Sequence, residues 1–217
     1  FQLGWPISIQ ISGELLAITA VAYLLGLFGV SALAASQITG QYSMIFVMIS
    51  LGLSSGVSIL ISQSHGQHNY TAIKQTNLAG IFLISCLSVV FIIAFSLFPH
   101  YLVDLYLNSQ HPSHGKLFYY ATHFMMIAAL YLSFDGIRNT LTGTLRGLQD
   151  PKLPMKIGVG CLWLLGLPGA YLAGFTFHGG PVLLRLAFST SVIVATVWIA
   201  ARYHVILKHK IDSGEIL

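Results

Sequence analysis

Charge is scarce in this chain. Only 7% of its residues are Asp, Glu, Lys or Arg, against about 25% in ordinary soluble domains. A water-soluble body of 217 residues could not clothe its surface with so few charged groups, so that class is excluded. Strict polar–apolar alternation is missing, and with it the pattern of a membrane β-barrel. Cysteine is limited to Cys86 and Cys161; far apart in apolar segments, they read as two buried thiols and say nothing of redox compartment. Basic residues are not interleaved with aromatics, so the net charge of +4 points to no nucleic acid partner. The histidines are scattered in loops. No cysteine or carboxylate joins His65 and His68, and His111 and His114 read as surface residues, so no metal centre is expected. A membrane enzyme would need a nucleophile or metal cluster facing a headgroup, and none is legible; the chain reads as no enzyme, without a cofactor.

Long apolar runs are what the chain has instead. Mean hydropathy is +0.79 and 55% of residues are hydrophobic. Runs of about 20 residues or more span a bilayer as helices. The fold class expected is an all-α membrane protein, a bundle of six transmembrane helices. The spans fall at about residues 5–28, 33–64, 71–98, 116–145, 153–175 and 181–203, within one unit of 1–205 followed by a cytoplasmic tail, 206–217. The second run is too long for one perpendicular crossing, which predicts tilt or extension beyond the bilayer. Gly52 and Gly56 form a GxxxG that reads as a close helix contact. Residues 63–70 read as a polar loop. Pro168, inside the fifth span, predicts a kink. The chain opens at Phe1 without Met, which reads as a cut within a longer polypeptide.

With six spans the connections alternate between sides. One side collects Lys74, Arg146, Lys152, Lys156, Arg202, Lys208 and Lys210; the other holds Lys116 and Arg185. The basic side is cytoplasmic by the positive-inside rule, which places the C-terminus inside. The location expected is the cell's inner (plasma) membrane.

Polar groups inside the apolar runs mark the chemistry. Asp135 interrupts the fourth span and Glu14 the first, each at membrane depth, where a carboxylate is costly unless something needs it. Tyr131 stands four residues before Asp135, on the same helix face. A phenol and a carboxylate there can ligate Na⁺, or the carboxylate can take H⁺, since burial favours its neutral form. Packing that unites Glu14 with Asp135 would set two like charges in a low dielectric, where a cation or proton must sit between them. Arg138 offers the competing arrangement, an ion pair with Asp135 three residues earlier. Gln37 and Gln41, in the polar opening of the second span, are expected to line a water-filled cavity.

These residues carry a resemblance. Gly4-Trp5-Pro6 with Glu14, Ala34-Ala35-Ser36-Gln37-Ile38, Leu51-Gly52-Leu53, Gly66-Gln67, Phe134-Asp135, Gly143-Thr144-Leu145-Arg146-Gly147, Asp150, Pro154, Trp163, Gly166, Pro168 and Tyr171 stand in order along nearly the whole chain. The chain resembles the C-terminal six-helix lobe of multidrug and toxic compound extrusion (MATE) transporters. The resemblance implies secondary active antiport, with cationic amphipathic compounds exported in exchange for Na⁺ or H⁺ by rocking of two lobes. It implies a cation site at Glu14, Tyr131 and Asp135. Arg138 departs from the uncharged residue usual there, and Ser36 from the family's His. Its partners would be the bilayer, a small cationic substrate, and the N-terminal six-helix lobe, in the same polypeptide or a second half-chain. Two other functions remain: a lipid-linked oligosaccharide flippase, which would want a more cationic cavity than Arg138 and Arg185 supply, and a non-functional fragment of a truncated gene.

Overall fold

In lipid, backbone N–H and C=O groups have no water to bond, so an apolar run satisfies them internally by forming a helix. The computed structural model describes residues 4–106 and 115–212, with backbone alone for residue 204 and residues 206–212. Six helices long and apolar enough to cross a membrane are present among them. These are α1 (Gly4–Gly26), α2 (Val30–Gly66), α3 (Tyr70–Leu97), α5 (Gly115–Gly147), α6 (Lys152–Thr176) and α7 (Gly180–Asp212). A short helix, α4 (Pro99–Asp104), follows α3 and opens with proline at its first turn, where the missing N–H costs nothing. His111 and His114 lie outside the described residues.

The bundle is built around α5, which packs against α2, α3 and α7. Its C-terminal half, from Asp135 on, is almost entirely buried although it is rich in Thr and Gly and carries Asp135, Arg138 and Asn139. Small residues permit that burial. A Cβ on Gly147 would stand 2.8 Å from the Ser58 carbonyl, and one on Gly143 would collide with the Ser54 carbonyl. The α2 and α5 backbones therefore touch, a contact that without a hydrophobic drive between helices stabilises by van der Waals packing. The Ser54 hydroxyl donates to the Asn139 carbonyl at 2.6 Å, and Thr144 donates to Asn77 Oδ1 on α3 at 2.7 Å.

Several expectations need correction. Gly52 and Gly56 are exposed with nothing near them; the close contact comes from α5 glycines, because α2 turns Ser50, Ser54, Val57 and Ile61 inward instead. Cys86 is exposed, and only Cys161 is buried. Most of 63–70 is helical: α2 continues to Gly66, and Asn69 caps α3 by accepting from the Ala72 N–H at 3.0 Å, the usual use of Asn at a helix start. The last helix runs on to Asp212, through most of the stretch expected as a tail. At Pro168, α6 widens into π-helical turns over Cys161–Gly166 and Leu172–Thr176, on either side of Leu167–Tyr171. Shifting the hydrogen-bond register accommodates a residue without an N–H. At 37 residues, α2 is about 55 Å long at 1.5 Å per residue, well beyond the hydrocarbon thickness of about 30 Å.

Candidate functional site

Glu14 and Asp135, 121 positions apart in sequence, are brought to one guanidinium. Arg138 Nη1 donates to Glu14 Oε1 at 2.7 Å, and Nη2 donates to Glu14 Oε2 at 3.2 Å. The same Nη2 donates to Asp135 Oδ1 at 2.8 Å, and Nε reaches Oδ1 at 3.1 Å. Arginine's planar fork suits two-pronged contact of this kind. The ends of the node are held by amides one helical turn away. Gln10 donates to Glu14 Oε1 at 3.1 Å, and Asn139 donates to Asp135 Oδ2 at 3.0 Å while also reaching Ser50 Oγ on α2. Side-chain exposure falls from 22% at Glu14 to 11% at Asp135 and 5% at Arg138. Three charges at membrane depth are thus tolerable because each is paired and hydrogen-bonded.

The third wall is α6. A Cβ on Gly158 would lie 3.3 Å from Arg138 Nη1 and 3.6 Å from Glu14 Oε1, so a methyl there would sit tightly against the bridge and a larger side chain would crowd it. Val159 presses on Gly13, the residue before Glu14, and the Trp163 indole N–H donates to the Gly13 carbonyl at 3.1 Å. These contacts fix α1 against α6 and set the depth of Glu14.

The other expected residues are placed differently. Tyr131 lies one turn from Asp135, but Asp135 takes its hydrogen bonds from Arg138 and Asn139, and the Tyr131 ring faces the Arg185 guanidinium of α7 at 5.9 Å. Gln37 and Gln41 are both exposed, on one face of α2. Thr39, between them, and Ser43, two residues beyond Gln41, are buried and donate to carbonyls one turn back. Sequence spacing could have found Gln10 and Asn139, each four residues from the carboxylate it supports. Gly158 and Trp163 carry no such signal, because their roles arise only when α6 meets α1.

The MatE family model matches residues 6–172. The chain belongs to this family. A probable multidrug resistance protein NorM of Pseudomonas putida is 33% identical over 197 residues, covering 91% of this chain and 43% of that protein. Another from Synechococcus sp. is 29% identical over 194 residues, covering 89% and 42%. Among solved structures, the Vibrio cholerae MATE transporter VcmN in its bent form aligns with TM-score 0.83 at 19% identity, over 95% of this chain and 46% of that one. A MOP superfamily transporter from Pyrococcus furiosus aligns with TM-score 0.76 at 20% identity, over 92% and 43%. The MATE fold is thereby shown, and the chain spans about two fifths of the length of the curated relatives it matches. It is a multi-pass membrane protein of a transporter family.

Proposed function

We propose that this chain is the C-terminal lobe of a secondary active antiporter that exports cationic amphipathic compounds in exchange for an inorganic cation, H⁺ or Na⁺, at the Glu14–Asp135 pair. The observation that carries the reading is the convergence of the two membrane-depth carboxylates on Arg138. Two acids and one base leave the node one positive charge short, and a proton or a monovalent cation supplies that charge. When it arrives, the balance of hydrogen bonds joining α1 to α5 changes, and with it the packing of the lobe's first helix. Family membership and the NorM relatives support drug export as the work so driven.

The second lobe belongs to the same proposal, since a cleft for alternating access forms between two halves. Lys and Arg cluster on one set of connections, which supports a plasma-membrane location with the C-terminus inside. The flippase reading is weaker. It needs uncompensated arginines for a pyrophosphate, and Arg138 is committed to two carboxylates.

The test is accumulation of a fluorescent cationic dye by proteoliposomes holding the whole two-lobe transporter, under an imposed proton gradient and then an imposed sodium gradient. Uphill dye movement with at least one of them is expected. Dye movement indifferent to both would overturn antiport.

A further inference from the structure

Arg138 occupies the place between the carboxylates that an exchanged cation would otherwise fill. We propose that Arg138 is the resident counter-ion of the pair and limits it to one exchangeable positive charge, a proton taken up on Glu14, to the exclusion of Na⁺. This rests on the coupling role given to the pair above.

The hydrogen-bond inventory argues for it. Glu14 Oε1 accepts from Arg138 Nη1 and from Gln10, and Oε2 accepts from Nη2. Asp135 Oδ1 accepts from Nε and Nη2, and Oδ2 accepts from Asn139. Every carboxylate oxygen therefore has an N–H aimed at it. A hard cation needs several oxygens turned toward it at once. Na⁺ would have to strip those donors away while standing against the Arg138 guanidinium, whose side chain is 5% exposed. A proton needs only one lone pair, and Oε2 and Oδ2, each with a single donor, keep one. Oε2 has the longer contact and the more exposed side chain. The proton arrives from water, bonds to the free lone pair of Glu14 Oε2, and leaves Asp135–Arg138 as a neutral pair. Its departure restores one net negative charge, which a monovalent cationic cargo can then neutralise. Proton and cargo so exclude each other.

The charged and titratable neighbours come from three elements. On α5 they are Asp135, Arg138, the Tyr131 phenol, within electrostatic reach of both, and Arg146, within reach of Glu14. On α6 the Cys161 thiol lies within reach of Arg138. On α7, Arg185 faces Tyr131 rather than the pair. From α2 the node meets only the Ser50 hydroxyl, through Asn139. Asp135 is the one other carboxylate among them, and its ion pair with Arg138 opposes a second proton there.

The experiment reconstitutes the whole transporter with tetraphenylphosphonium as cargo and measures three things: accumulation against an imposed pH gradient, its response to membrane potential, and binding of radiolabelled Na⁺ to purified protein. The wild type is expected to exchange one proton per tetraphenylphosphonium, to be insensitive to potential, and to show no saturable Na⁺ binding. Arg138→Gln removes the resident charge; saturable Na⁺ binding is expected to appear in it. Arg138→Lys keeps the charge and should bind no Na⁺. Saturable Na⁺ binding by the wild type that Glu14→Gln abolishes would overturn the proposal. So would two protons per cargo in the wild type, a result that stands even if Arg138→Gln fails to fold. A folded, monodisperse Arg138→Gln that binds no Na⁺ would also overturn it. If no gradient drives accumulation in the wild type, the coupling reading fails, while the Na⁺ measurements still decide the counter-ion.

Discussion

Burying Glu14, Asp135 and Arg138 together works only because each carboxylate has both an arginine contact and an amide donor. Losing the charge of one carboxylate still leaves Arg138 a partner, whereas losing Arg138 leaves two acids uncompensated, the costlier break. The glycine facing the set is packed closely against it, since even a Cβ on Gly158 would stand 3.3 Å from Arg138 Nη1. Gly158→Val is expected to push the guanidinium off Glu14 and cut ion-driven efflux by about tenfold or more, through loss of a charge-assisted contact of about 1.5–3 kcal/mol. Transport assays beside a size-exclusion profile check it; unchanged efflux would mean that α6 has slack the packing does not suggest. The sequence announced Glu14, Asp135 and Arg138 by cost alone, because charge in an apolar run needs a reason. The pairing of Arg138 with Asp135 followed from a spacing of three. That the same side chain also reaches Glu14 was not legible, because it depends on where α1 docks, and no local pattern records that.

At the scale of the element, α5 is the bundle's centre and the α2–α5 contact its tightest seam. Gly143→Ala drives a methyl into the Ser54 backbone and should destabilise the detergent-solubilised protein by about 1–3 kcal/mol, the usual cost of overpacking. Gly52→Ala and Gly56→Ala, with open space around both, should leave the thermal midpoint where it was. A reversed ranking in thermal unfolding would contradict the assignment of the seam. The existence of the six long helices was legible from hydropathy, since the bilayer dictates length and backbone satisfaction dictates type. Which glycines meet a neighbour was not. GxxxG describes a face that can pack, and on α2 that face points away from the bundle while Ser54 points in. The π turns around Pro168 show the same limit: the proline was visible, but the form its accommodation takes, a shifted hydrogen-bond register on both sides, was not.

For the molecule as a whole, two features face away from the described bundle: the Gln37–Gln41 stripe on α2 and the partly open edge of Glu14. The chain spans about two fifths of its relatives' length, and on the function proposed above those surfaces are the ones expected to face the second lobe across a wet cleft. In the whole transporter with its native cysteines replaced, Gln37→Cys and Gln41→Cys are expected to react with a membrane-impermeant thiol reagent. Cysteine at an exposed apolar position such as Leu78 should stay unreactive, because it faces hydrocarbon. Equal protection at all three would place the stripe in lipid. The most direct measurement of the central claim is proton-driven efflux by the whole transporter carrying Glu14→Gln or Asp135→Asn. Each variant is expected to remain folded and membrane-inserted while gradient-driven efflux disappears. Efflux at the parental rate in both would contradict the claim that the arginine-bridged acids couple ion to cargo.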